Sequence, residues 1–109
     1  DWIFVEDFCK AVLLIFENRE SVLNESFCIG ANQEFTNVQL TKKICSIIND
    51  NFSLQHNCLD LITYVDDRLG HDFRYAIDAS KIRKDLEWNP EYSFEEAIMK
   101  TINYYKKNL

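Results

Sequence analysis

Residues 64–81 read YVDDRLGHDFRYAIDASK, and the nature of the chain turns on this run. Arg68, Gly70 and His71 crowd together between two apolar stretches, Leu61–Val65 and Phe73–Ile77, with Arg74 just inside the second. Gly70 is one of only two glycines in the chain, and His71 one of only two histidines. The alternation predicts strand, turn, strand, with the turn Asp66-Asp67-Arg68-Leu69-Gly70-His71-Asp72 held by backbone on both sides. Arg68 offers a planar fork of donors suited to phosphate or carboxylate. Gly70 can take positive φ and let backbone approach a ligand, and His71 adds a donor whose charge follows its surroundings. Two readings stay open: a ligand-holding turn, or a solvated hairpin in which Arg68 pairs with Asp66, Asp67 or Asp72.

Working outward, Val5, Phe8, Cys9, Val12, Leu13 and Phe16 follow helical spacing and predict a helix from Val5 to about Glu17. Glu6 and Asp7 favour its start through the helix dipole. Phe27-Cys28-Ile29 reads as a short strand stopped by Gly30. Thr36 and Gln39 form a capping-box pattern that opens a second helix carrying Val38, Ile44, Cys45 and Ile48. Residues 49–60 read as a polar connection. Asp78 is placed to cap a short helix through Leu86, ended by Trp88-Asn89-Pro90 because the residue before proline avoids the helical region. Ser93 with Glu96 opens a last helix bearing Phe94, Ala97, Ile98, Ile102 and Tyr105 on one face. The expected fold is therefore a small mixed α/β domain (α+β in layout), with a minor sheet and about four helices.

Composition narrows the function. The 109 residues, nearly half of them apolar, are enough for one modest core. Twelve Lys and Arg against eighteen Asp and Glu give a net charge of -6. That argues against nonspecific binding to nucleic acid or to an anionic membrane. No apolar run approaches the ~18 residues of a membrane span, and no signal-peptide pattern opens the chain. The first residue is not Met, which reads as a piece of a longer protein or a processed product. Cys9, Cys28, Cys45 and Cys58 show no C-x-x-C spacing, so no metal site is expected; buried free thiols in a reducing cytoplasm are.

The chain carries no G-x-G-x-x-G, Walker or G-x-S-x-G pattern. The paired acids Glu6/Asp7 and Asp66/Asp67 read as a helix start and a solvated turn, so no catalytic residue is assigned. Asn37, in the first turn of the second helix, suits helix-start chemistry, and an anion could also be met there. His56 reads as a loop histidine. Of the adjacent Tyr104 and Tyr105, one ring faces a core and the other the surface.

Several runs, in order, resemble one family. Ile62-Thr63-Tyr64-Val65, Asp67-Arg68-Leu69-Gly70-His71-Asp72 and Arg74-Tyr75-Ala76-Ile77-Asp78-Ala79-Ser80-Lys81-Ile82 are similar to the C-terminal region of dTDP-glucose 4,6-dehydratases. These are members of the extended short-chain dehydrogenase/reductase superfamily. Asp1-Trp2-Ile3-Phe4-Val5-Glu6-Asp7 resembles their D-W-x-x-V-E-D segment, and Cys28-Ile29-Gly30 through Asn37 their N-I-G loop and helix start. Leu86-Glu87-Trp88-Asn89-Pro90, Ser93-Phe94-Glu95-Glu96 and Lys100-Thr101 resemble the closing L-G-W-x-P, S-F-E-E and K-T patterns.

The resemblance implies that residues 1–109 form a single C-terminal substrate-binding lobe, with the N-terminal Rossmann domain and its catalytic pairs lying outside this chain. It implies an NAD-dependent parent enzyme, cytoplasmic and homodimeric, that converts dTDP-glucose to a 4-keto-6-deoxy sugar nucleotide and water for deoxysugar synthesis. The chain alone is then expected to bind no NAD and to be inactive. Asn37, Asp67, Arg68, Leu69, Gly70 and His71 become the nucleotide-sugar site, with Arg68 on the diphosphate and His71 beside the nucleotide. Leu69 stands in place of the family's usual proline, and Phe73 where many relatives carry a polar or basic residue. Two alternatives remain: the lobe of a related nucleotide-sugar epimerase or decarboxylase, and a non-enzymatic protein-interaction module.

Overall fold

A computed structural model describes residues 1–108. The described residues form four α-helices and one 3-10 turn: α1 (Val5–Glu17), α2 (Asn37–Asn51), the 3-10 turn Cys58–Leu61, α3 (Ser80–Leu86) and α4 (Phe94–Asn108). Backbone contacts divide the chain into two compact units. One comprises Asp1–Glu34 with Tyr75–Phe94, and the other Phe35–Arg74 with the residues from Glu95 onward.

The expected mixed α/β fold with a minor sheet is overturned, because no strand forms among the described residues. Phe27–Ile29, Leu61–Val65 and Phe73–Ile77 all lack a ladder. A strand of that length needs a paired neighbour and a buried face to offset the entropy of ordering it. Here Val65, Leu69 and Phe73 are almost fully exposed, so no burial rewards pairing across the turn. The run Phe73–Ile77 is also divided between the two units after Arg74. Alternation was present; a partner was not.

In the first unit, α1 and α3 share a core of Ala11, Ala79, Ile82 and Trp88, with Ile3, Leu14, Ile15, Phe27, Ile29 and Leu86 packed against it. Fully burying a side chain such as Ile82 is worth about 1.5–3 kcal/mol. Helix α1 has the expected span, and the face away from its bulky apolar stripe is the buried one. Asp7 and Ala11 are inside, whereas Val5, Phe8, Val12, Leu13 and Phe16 are exposed. Small Ala11 allows close packing, and the Asp7 carboxylate accepts the Glu91 backbone N–H at 3.0 Å. Cys9 and Cys28 are likewise exposed, against the expectation of buried thiols, while Cys45 is buried. Asp78 accepts the Ser80 N–H at 2.9 Å and so supports the start of α3. That helix ends at Glu87, which is left-handed at φ 54°.

In the second unit, Thr36 and Gln39 form the anticipated capping box: the Thr36 hydroxyl accepts the Gln39 N–H at 3.2 Å, and the Gln39 side chain accepts the Thr36 N–H at 2.9 Å. Helix α2 runs three residues, 49–51, into the stretch expected to be a polar connection. The 3-10 turn is pinned beside α2 by Asn49, whose side chain donates to Asn57 at 2.6 Å and accepts the Cys58 N–H at 3.0 Å. Helix α4 carries Glu95 and Glu96 in its first turn and Lys106 and Lys107 in its last, both complementary to its dipole. No helix among the described residues is long and apolar enough to cross a membrane.

Candidate functional site

The loop 66–72 lies wholly within the second unit. It is organised around one carboxylate rather than around a hairpin ladder. Asp67 Oδ1 accepts the backbone N–H of Arg68 at 2.8 Å and meets His71 Nδ1 at 2.8 Å. The His71 backbone N–H donates to the Arg68 carbonyl at 3.3 Å, closing a tight turn. Gly70 sits at φ +73°, which a side chain rarely adopts, although the surrounding space is open. The bond to His71, above all, holds the Asp67 carboxyl below its usual range, with the Arg68 amide adding to it and desolvation opposing.

This arrangement has a chemical consequence. With Nδ1 committed to Asp67, His71 has Nε2 left for a ligand. Asp67 itself is taken by the histidine, and among the described residues no hydrogen bond or ion pair joins the Arg68 guanidinium to Asp66, Asp67 or Asp72, the pairing that the solvated-hairpin reading called for. Arg68 adds only a weak long-range attraction to Asp67. Its guanidinium, on an exposed residue of the same turn, is therefore available as a donor fork. Leu69 points into solvent.

Asn37 is the first residue of α2, directly after the Thr36 cap. It is exposed, and its carbonyl accepts the Thr41 hydroxyl at 2.8 Å. Among the described residues no hydrogen bond joins it to residues 67–71. The structure thus brings Asp67, Arg68 and His71 together by direct contact, with Gly70 at positive φ in the same turn, and Asn37 stands apart from that network.

Two features went unread in the sequence. The Asp1 carboxylate accepts three successive backbone N–H groups, those of Ala31 and Gln33 at Oδ1 (3.1 and 3.4 Å) and that of Asn32 at Oδ2 (3.1 Å). Asn32 takes positive φ to make this concavity, and Gly30 is required because a Cβ there would lie 2.8 Å from Asp1 Oδ2. The second is a groove of about 620 Å³ between α2 and α4, lined by Ile44, Ile48, Phe52, Ile98, Ile102 and Tyr105. Its nearest cation, Lys106, lies over the Phe52 ring at 4.6 Å. It has no fork of donors like that of the 66–72 loop.

Gly30 is filled by Asp1 and Ile77, and Gly70 belongs to the Asp67 loop rather than to a helix start.

Residues 1–101 match the family model described as GDP-mannose 4,6 dehydratase. The chain belongs to this dehydratase family. More narrowly, it is 41% identical over 112 residues to a dTDP-glucose 4,6-dehydratase of Neisseria gonorrhoeae. It is 42% identical over 112 residues to one of Escherichia coli and 38% to one of Haemophilus influenzae. Each match covers 99% of this chain but only 32%, 30% and 32% of the relative. The chain spans about a third of the length of the curated relatives it matches.

Proposed function

We propose that this chain is the nucleotide-sugar-binding part of an NAD-dependent dTDP-glucose 4,6-dehydratase. The observation that carries the reading is the 66–72 loop, in which Asp67 holds His71 and the Arg68 guanidinium has no hydrogen-bond or ion-pair partner among the described residues. It lies in a chain similar to such enzymes along nearly its whole length. Arg68 takes the diphosphate as a bidentate donor and His71 lies beside the nucleotide. Asp67 orients the imidazole, Gly70 and Leu69 give the turn its shape, and Asn37 reaches the same substrate from the start of α2.

NAD would belong to the part of the enzyme outside this chain. The same Rossmann portion would cover the exposed Val5, Phe8, Val12 and Phe16 of α1, a larger apolar stripe than a free helix surface usually keeps. Homodimerisation and a cytoplasmic site of action follow the same family expectation.

The test is titration of dTDP into the full-length protein carrying this chain, as wild type and as Arg68→Ala. Losing a charge-assisted pair weakens binding by roughly tenfold to a hundredfold. Unchanged affinity in Arg68→Ala removes the assigned role. Turnover of dTDP-glucose to a 4-keto product separates the dehydratase from an epimerase or decarboxylase.

A further inference from the structure

In the second unit, α2 and the 3-10 turn meet at two sulfur-bearing residues. The Cys45 thiol, buried on α2, donates to the Cys58 carbonyl oxygen at 3.5 Å. Bond lengths put that oxygen no more than ~2.8 Å from its own Cα, so the Cys45 sulfur and the Cys58 Cα are about 6 Å apart or closer. Two further bonds fix the register: Asn49 holds both Asn57 and the Cys58 N–H, so the turn cannot slide along the helix without breaking them. Cys58 is only half-buried, whereas Cys45 is buried.

We propose that Cys45 and Cys58 are a built thiol pair that closes to an intramolecular disulfide in the presence of a small disulfide oxidant such as glutathione disulfide. Closing the bond brings the two sulfurs to ~2.05 Å and the two Cβ atoms to about 3.5–4.5 Å. In the first step the Cys58 thiolate attacks a sulfur of glutathione disulfide, giving a Cys58–glutathione mixed disulfide and one reduced glutathione. In the second, the Cys45 thiolate attacks the Cys58 sulfur and releases the other glutathione. Two thiols are oxidised, one disulfide is reduced to two thiols, and the protons pass to the released glutathiones. Burial, together with the neighbouring Cys58, raises the Cys45 thiol above its ordinary range. A thiol of that kind is a poor leaving group, so the closed bond would resist reversal. The bond would clasp α2 to the segment that leads into the Asp67–His71 loop. This inference does not depend on the nucleotide-sugar reading.

The experiment treats the native protein with glutathione disulfide, blocks free thiols and maps the peptides without reduction. The expected product is a linked pair containing Cys45 and Cys58, released by dithiothreitol. It should form equally in the Cys9→Ser/Cys28→Ser double variant, whose altered residues are exposed. Cys45→Ser should stop at the Cys58–glutathione adduct. Glutathione on Cys9 or Cys28 without the Cys45–Cys58 link overturns the proposal, as does a wild type that halts at the Cys58 adduct. Equal yield of the link from urea-unfolded chain also overturns it, since the pairing would then owe nothing to the fold.

Discussion

His71 Nδ1 and Asp67 Oδ1 lie 2.8 Å apart, and the Arg68 amide shares the same oxygen. The contact spans four residues and is exposed on the Asp67 side, so its value is geometric: it fixes which imidazole nitrogen remains free. Exposed pairs of this kind contribute little to global stability.

A depressed carboxylate stabilises the loop at pH values above its unfolded pKa of about 3.9. That contribution is lost as pH falls through the lower folded value. Asp67 should therefore titrate below the usual carboxylate range when its carboxyl carbon is followed by NMR. His71→Ala should move the midpoint upward, because the largest cause of the depression is gone. A midpoint unmoved by that substitution would count against the contact.

Glu87 is left-handed at φ 54°, where the family resemblance places glycine. A side chain in that conformation costs about 1–2 kcal/mol, part of which glycine returns through greater freedom of the unfolded chain. Glu87→Gly should raise stability by roughly 0.5–1 kcal/mol in urea denaturation, given those two magnitudes. Glu87→Ala should bring no such gain.

Ile82 is fully buried, whereas Leu69 is fully exposed. Ile82→Ala should cost about 2–5 kcal/mol through lost burial and the cavity left behind. Leu69→Ala should stay within ~0.5 kcal/mol. Chemical denaturation of both variants checks the contrast, and comparable losses would contradict the packing described.

Gly30 has no room for a side chain, with Asp1 Oδ2 at 2.8 Å and Ile77 at 3.0 Å from an added Cβ. Gly30→Ala should destabilise by about 1–3 kcal/mol. Hydrogen exchange should show faster amides at Ala31, Asn32 and Gln33, since the carboxylate that binds them is displaced.

Helix starts were legible in the sequence because their signals are local. Thr36 and Gln39 are three residues apart, and the bonds between them are the ones the pattern foretold. The Arg68–His71 turn was legible for the same reason, as a cluster of unusual residue types. Strands were not, because alternation in Leu61–Val65 and Phe73–Ile77 describes a surface and says nothing of whether a neighbour pairs with it. The buried face of α1 was not legible, because its bulky stripe is its most hydrophobic face. The buried side is set instead by small Ala11 and by the bond from Glu91 to Asp7, 84 positions apart in the chain. The Asp1 concavity spans some thirty positions and left no local trace beyond Gly30 and Asn32.

That concavity makes residues 30–33 behave as a receptor already saturated by its own chain. Their shape is borrowed from a carboxylate supplied by a distant residue, so the segment is not portable. Cut out as a peptide or moved to another scaffold, it would lack its anion and have no reason to keep its bend. With Asp1 replaced by alanine, the three N–H groups would face water, or a small carboxylate such as formate, in the place where the side chain had been.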